Sequence, residues 1–176
     1  MIRIGIILCL FSFCITACSE SQSSAKAKIQ ELELVFDKAD NGAELPTEKT
    51  IIASNALIEA YQAYAQTWSG DTSSARMLYK AALKQELLGK SKEAVINYDK
   101  IWNEYPTHGL APLCYYRTGY IYEKVFRDFN TARQRYTAFA NSYPNHPLAT
   151  KMELQLEYLG RDNDLLEAII GQEPEE

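Results

Sequence analysis

The sequence lacks the features typical of nucleic-acid-binding and disordered proteins. It has 18 Lys and Arg residues against 23 Asp and Glu residues, with no basic stripe. Phosphate binding needs clustered cations, so we expect no nucleic-acid partner. Eight glycines and six prolines in 176 residues are too few for a disordered or fibrous chain. A hydrophobic content of 47% instead fits one globular domain.

Recognisable motifs of catalysis and metal binding are also missing. The sequence contains no Gly-rich phosphate loop, no His-Glu-x-x-His, no Gly-x-Ser-x-Gly and no Cys-x-x-Cys. The two histidines, His108 and His146, each follow a proline by two residues and lie far apart in the chain. This spacing favours a role in turns over a shared metal ion. We therefore predict no enzyme activity, no cofactor and no metal site.

Cysteine is scarce, and three of the four cysteines lie near the N-terminus. Met1-Ile2-Arg3 is a short positive start, Ile4 to Phe13 is an almost uninterrupted apolar run, and small residues lead up to Cys18. This order is that of a secretory signal, and the apolar run is short for a membrane span. Loss of Cys9 and Cys14 with the leader, together with modification of Cys18, would leave Cys114 without a disulfide partner, so we expect it to be a buried small hydrophobe.

The end of this leader has a second notable feature. The residues Ile15-Thr16-Ala17-Cys18 resemble the bacterial lipoprotein signal, or lipobox. The resemblance implies that residues 1–17 are a lipoprotein signal peptide and that Cys18 carries the lipid. Ordinary cleavage and an uncleaved anchor remain the alternatives. The polar, serine-rich stretch that follows predicts a flexible tether over 18–25.

Helical spacing of apolar residues dominates the rest of the chain. It predicts an N-terminal helix over 26–42 and a second helix from about Glu48 to Trp68, opened by Pro46 and Thr47. Short breaks at Gly, Pro and Asp residues separate further helical patterns. No segment alternates apolar and polar residues long enough to predict a strand. We expect an all-α protein that ends in an acidic tail over 171–176.

Two segments of the chain resemble each other at a spacing of 38 residues. The segment AVINYDKIWNEYPTHGLA, over 94–111, aligns with ARQRYTAFANSYPNHPLA, over 132–149. Both share an alanine, a tyrosine, a Tyr-Pro pair, a histidine and a Leu-Ala pair at the same places. A weaker earlier copy contains Tyr61 and Trp68-Ser69. The pattern predicts a helical hairpin that is repeated along the chain.

These residues resemble the tetratricopeptide repeat, whose first helix carries small residues and a tyrosine and whose second helix ends at a proline. The resemblance implies a right-handed solenoid of antiparallel helix hairpins over 48–170, with about three divergent units and a C-terminal capping helix. Glu157 replaces the small residue of the earlier copies, and its charge is expected to end the stack. The residues expected to pack the repeats together are Ala82, Ala94, Tyr98, Pro106, Gly119, Tyr122, Ala132, Tyr136 and Pro144.

In such arrays the first helices line a concave groove that binds a protein or peptide, and the resemblance implies such a partner here. The repeat register assigns to this groove Tyr79, Leu83, Glu86, Tyr116, Tyr120, Lys124, Leu154 and Tyr158. Tyrosine suits recognition because it combines a large contact area with a polar tip. For each of these residues, packing between helices is the alternative. End-to-end pairing of two copies into a homo-oligomer is also left open.

The lipobox and the Tyr-Pro-ending repeats together resemble the tetratricopeptide lipoproteins of the outer-membrane β-barrel assembly machinery. This resemblance implies a bacterial envelope protein, anchored in the membrane through Cys18 and facing the periplasm. One rival is a non-lipidated periplasmic adaptor in cell division or peptidoglycan synthesis. The other is an enzyme or metal protein built on a helical scaffold.

Overall fold

The computed structural model describes residues 21–40, 42 and 45–161. This part of the chain contains no strand, and its helices pack in chain order, each against the next. The seven helices are α1 (Gln22–Ala39), α2 (Glu48–Thr67), α3 (Thr72–Leu87), α4 (Ser91–Glu104), α5 (Ala111–Lys124), α6 (Phe129–Ser142) and α7 (Ala149–Tyr158). The predicted all-α solenoid of stacked hairpins is confirmed. In the described residues, none of the helices has both the length and the apolar character needed to cross a bilayer.

Helix α1 begins earlier than the sequence predicts, at Gln22 instead of residue 26. The Ser21 hydroxyl accepts a hydrogen bond from the Ser24 backbone N–H at 3.2 Å. This cap satisfies a free N–H of the first turn, and Ala25 in that turn is already buried. The prediction of a tether over 18–25 is therefore wrong from residue 22 onward. The helix also ends at Ala39, before the predicted residue 42.

The ends of the other helices follow from local sequence signals. The predicted second helix is α2, and the Thr47 side chain accepts the backbone N–H of Thr50 at 3.2 Å. Helices α4 and α6 end one residue before Tyr105-Pro106 and Tyr143-Pro144. Proline cannot continue a helix and disfavours the helical conformation in the residue before it. The repeated Tyr-Pro pairs thus mark the ends of the second helices, as predicted.

Most of the residues predicted to pack the repeats together lie in the core. Ala82, Ala94, Ala132, Tyr98 and Tyr136 are all fully buried. Tyr122 is half-buried and makes an edge contact with the Phe126 ring, with 5.3 Å between the ring centroids. Pro106 and Pro144 are exposed beyond the helix ends.

Gly119 on α5 allows α6 to pack closely against it. A Cβ atom added there would lie 2.5 Å from Cε1 of Tyr136 on α6. Real Cβ atoms do not come so close to another heavy atom, so only glycine leaves room for this ring. The fully buried Tyr136 ring occupies that space.

The turns inside the two central hairpins differ by one residue. In the α3–α4 turn, the Lys90 N–H donates to the Gln85 carbonyl at 2.8 Å, and Gly89 has a φ of 69°. In the α5–α6 turn, the Asp128 N–H donates to the Tyr122 carbonyl at 2.9 Å and spans one residue more. There Arg127 adopts the left-handed conformation, with a φ of 56°.

The C-terminal end of the described chain is α7. Glu157 is exposed on this helix. The predicted signal peptide over 1–17, Cys18, the remainder of the capping helix and the acidic tail over 171–176 lie outside the described residues.

The first-helix face as a candidate binding site

Helices α1, α3, α5 and α7 are the first helices of successive hairpins, and their side chains meet on one surface. Lys80 of α3 binds Glu33 of α1, with 2.6 Å between Nζ and Oε1. Arg117 of α5 binds Glu86 of α3 in the same way. Lys151 of α7 lies over a ring of α5, with its Nζ 5.0 Å from the Tyr116 centroid. We call this surface the first-helix face.

A tyrosine from each second helix supports this face from below. Its hydroxyl donates a hydrogen bond to a carboxylate on the first helix of the same hairpin. Tyr61 donates to Glu33 at 2.6 Å, Tyr98 donates to Glu86, and Tyr136 donates to Glu123 at 2.7 Å. The same tyrosine–carboxylate contact therefore occurs in the α1–α2, α3–α4 and α5–α6 hairpins.

In the first two hairpins, the carboxylate also binds a cation from the next first helix. Lys80 donates a hydrogen bond to Glu33, and Arg117 donates three N–H bonds to the two oxygens of Glu86. The third hairpin differs, because Gln155 stands 38 residues after Arg117. There Glu123 pairs with Lys124 of its own helix, with 2.9 Å between Nζ and Oε1.

These contacts shift the pKa of the three tyrosines and of Glu33. Burial and the hydrogen bond to a carboxylate raise the pKa of Tyr61, Tyr98 and Tyr136, so the hydroxyls remain donors. Burial alone would raise the pKa of Glu33, but hydrogen bonds from Lys80 and Tyr61 outweigh it and lower the pKa. Glu33 is thus a charged group that ties α1 to α2 and α3.

The residues that the sequence assigns to the groove fall into two groups. Leu83, Tyr120, Leu154 and Tyr158 are exposed by 37%, 36%, 55% and 52%, and each projects from a first helix. Lys124 is also exposed on this face, beside Glu123. Four large side chains on the face thus keep contact area open to a partner.

The other three assigned residues pack inside the fold. Tyr116 is only 8% exposed, and its ring stacks on Tyr136 with 6.4 Å between centroids. Tyr79 is half-buried against the Tyr98 ring, and burial raises its pKa. Glu86 is held by Tyr98 and Arg117. For these three residues, the packing alternative describes their position in the structure.

A hollow of about 360 Å³ opens on the face between α1 and α3. Phe36, Leu57 and Tyr61 line it and are buried, while Leu83 and Leu87 line it and are partly exposed. Burial lowers the pKa of Lys84, whose Nζ lies 3.1 Å from the Phe36 ring centroid. The hollow offers an apolar site that ionic groups surround.

A second hollow, of about 250 Å³, lies between α5 and α7. Lys124 and Lys151 line it together with Leu154 and Tyr158. Tyr120 is four residues before Lys124 on α5, one helical turn away. The face thus has a hollow at each end, with exposed aromatic side chains near the second.

The tetratricopeptide-repeat family model matches the chain over residues 76–108 and 113–146. Two segments of this chain therefore match the tetratricopeptide repeat. The two matches correspond to the α3–α4 and α5–α6 hairpins. No curated protein and no solved structure matches the chain.

The first hairpin, α1–α2, lies outside both tetratricopeptide matches. Its Tyr61–Glu33 bond nevertheless repeats the bonds of the two matched hairpins. The sequence analysis did not identify these tyrosine–carboxylate contacts, although the sequence contains a signal for two of them. Glu86 and Glu123 are 37 residues apart, as are Lys80 and Arg117. Glu33 lies outside that period, so only the structure reveals its part.

The remaining candidate residues have structural positions. The Nδ1 atoms of His108 and His146 accept the backbone N–H of Leu110 and Leu148, each at 3.1 Å. Their predicted role in turns is confirmed. Cys114 is a buried free thiol, and burial raises its pKa to about 12. Among the described residues, no group of three or more His, Cys, Asp and Glu side chains could hold a metal ion.

Proposed function

We propose that this protein is a lipid-anchored envelope scaffold that binds a protein or peptide on its first-helix face. One observation carries the proposal. Leu83, Tyr120, Leu154 and Tyr158 are exposed on a face where several charged groups are already paired. Exposed apolar and aromatic groups of this kind are typical of interaction sites. The tetratricopeptide repeats support a scaffold for protein partners.

The shape of the face suggests how a partner binds. A large apolar side chain of an extended or helical segment enters the 360 Å³ hollow between α1 and α3. Tyr120 and Tyr158 supply further contact area along the same segment. The ion pairs between first helices hold the face in place, so little freedom is lost in forming the site.

A purification experiment tests the role of the face. We expect Tyr120→Ala and Leu154→Ala each to reduce the recovery of the bound protein about tenfold, since truncation of a central contact typically costs 1–2 kcal/mol or more. Ile96→Ala is the matched control, because Ile96 is 66% exposed on α4. Equal recovery with all three variants would contradict the proposal.

The lipid anchor rests on the lipobox resemblance of residues 15–18. An anchor would raise the concentration of the scaffold at a membrane surface, where a partner in outer-membrane protein assembly is expected. Labelling with radioactive palmitate tests this part. We expect label on the wild-type chain and none on Cys18→Ala. An unlabelled wild-type chain would instead favour a periplasmic adaptor without lipid.

A further inference from the structure

The outer side of the α1–α2 hairpin carries an apolar groove that none of the other described helices covers. Two hollows, of about 580 Å³ and 290 Å³, follow one another along the seam between these helices. We call them together the N-terminal groove. The first is lined by Leu32, Val35, Lys38, Ala39, Lys49, Ile52, Ala53 and Ala56, and the second by Ala25, Lys28, Ile29, Ala60, Ala63, Tyr64, Thr67 and Trp68.

This groove has the shape and polarity of a site for a helix. Val35 is 51% exposed and Ile52 is 61% exposed. On α2, alanines recur every three or four residues over 53–63. Small residues at this spacing allow the backbone of another helix to come close. An apolar groove between two helices is a form of surface in which an amphipathic helix docks.

The charges around the groove specify the chemistry of its occupant. Lys28, Lys38 and Lys49 are the charged residues that line it, and no carboxylate does so among the described residues. Within the described part of the chain, none of the three lysines forms an ion pair. The groove therefore favours a helix that combines an apolar stripe with acidic flanks.

The end of the chain has this combination in its sequence. Residues 162–176, DNDLLEAIIGQEPEE, contain six acidic residues and no Lys or Arg. Leu165, Leu166, Ile169 and Ile170 recur at the three- and four-residue spacing of a helical stripe. We propose that this segment of one copy docks in the N-terminal groove of a second copy.

Such an interface joins the C-terminal end of one molecule to the N-terminal end of the next. Four helices, α3 to α6, lie between the groove and α7 in the stack, which favours docking between copies over docking within one. The contact is heterologous, so it can extend into a row or close into a ring. It also covers one end of the stack of described helices.

Photo-crosslinking of the full-length chain in detergent-solubilised cell extracts tests the proposal. A photoreactive amino acid replaces Ile52, and this chain is mixed with a second, isotopically heavy copy. We expect mass spectrometry to find a crosslinked peptide from residues 162–176 of the other copy. Ile96 on α4 is the control position. Crosslinks only to residues 1–20, to the same copy, to lipid or to another protein would overturn the proposal.

Charge reversal provides the second arm. We expect Lys38→Glu with Lys49→Glu to reduce the crosslink between copies about tenfold, because like charges then face the acidic segment. Glu167→Lys with Glu173→Lys in the other copy should restore it. Lys92→Glu with Arg133→Glu makes the same change in net charge at exposed sites on α4 and α6. An equal loss with this control pair, or no rescue by the two lysine substitutions, would refute the contact between copies. Neither outcome bears on binding at the first-helix face.

Discussion

Tyr136→Phe should destabilise the protein more than the equivalent change Tyr98→Phe. Both side chains are fully buried, and each donates its hydroxyl to a carboxylate on the preceding first helix. Each substitution removes one oxygen atom and leaves the ring in place. The two variants therefore differ mainly in what remains around the carboxylate.

The remaining partners set the expected magnitudes. Glu123 is 3% exposed and, without Tyr136, keeps the Lys124 ammonium. Glu86 keeps three N–H bonds from Arg117. Hydrogen bonds to charged groups contribute about 1.5–3 kcal/mol, and the loss is smaller where the carboxylate keeps other strong donors, as Glu86 does. We expect Tyr136→Phe to lower the free energy of unfolding by about 2 kcal/mol and Tyr98→Phe by about 1 kcal/mol.

Urea unfolding, followed by far-UV circular dichroism, measures both losses when the slope of the transition is unchanged. The double variant Tyr136→Phe with Glu123→Gln should lose less than the sum of its two single changes, because the two groups interact. A loss for Tyr98→Phe that equals or exceeds that for Tyr136→Phe would refute the reasoning.

Three further predictions follow from individual residues. Gly119→Ala should lower the free energy of unfolding by about 1 kcal/mol, since overpacking against Tyr136 costs more than alanine gains in helix propensity. Gly109→Ala is the control, because Gly109 has open space around it, and it should change urea stability little. Asp71 caps α3, and its hydrogen bonds from the Ser73 N–H and the Tyr64 hydroxyl lower its pKa from 3.8 to about 2. The contribution of ionised Asp71 to the free energy of unfolding is complete above the pKa of its carboxyl in the unfolded chain, and it is lost as the pH falls towards 2. Asp71→Asn should therefore flatten the pH dependence of stability between these two pH values. Iodoacetamide should alkylate Cys114 in urea but not in the native chain, as peptide mass spectrometry can check, because the thiol is buried and its pKa is raised to about 12.

The repeat architecture could be predicted because its signals are local. Tyr105-Pro106 and Tyr143-Pro144 mark helix ends through backbone sterics, which do not depend on distant residues. Tyr98 and Tyr136 occupy the same position in the two repeats, which predicted that both lie in the core. Both tyrosines are fully buried.

The exposed part of the first-helix face could not be predicted in the same way. Tyr116 and Tyr120 lie one turn apart on α5, so helical spacing alone places them on the same side. Only the packing of Tyr136 and the position of Lys151 cover Tyr116 and leave Tyr120 open. The contacts of Glu33 could not be predicted from the sequence either, because its partners Tyr61 and Lys80 are 28 and 47 residues away.

Photo-crosslinking from Tyr120 tests the central claim, binding at the first-helix face, most directly. A photoreactive amino acid replaces Tyr120 in the full-length chain, and in a second chain it replaces Ile96, which is exposed on α4. The account predicts a discrete protein adduct from position 120 in intact cells and none from position 96. Strong capture from position 96, with none from position 120, would contradict it.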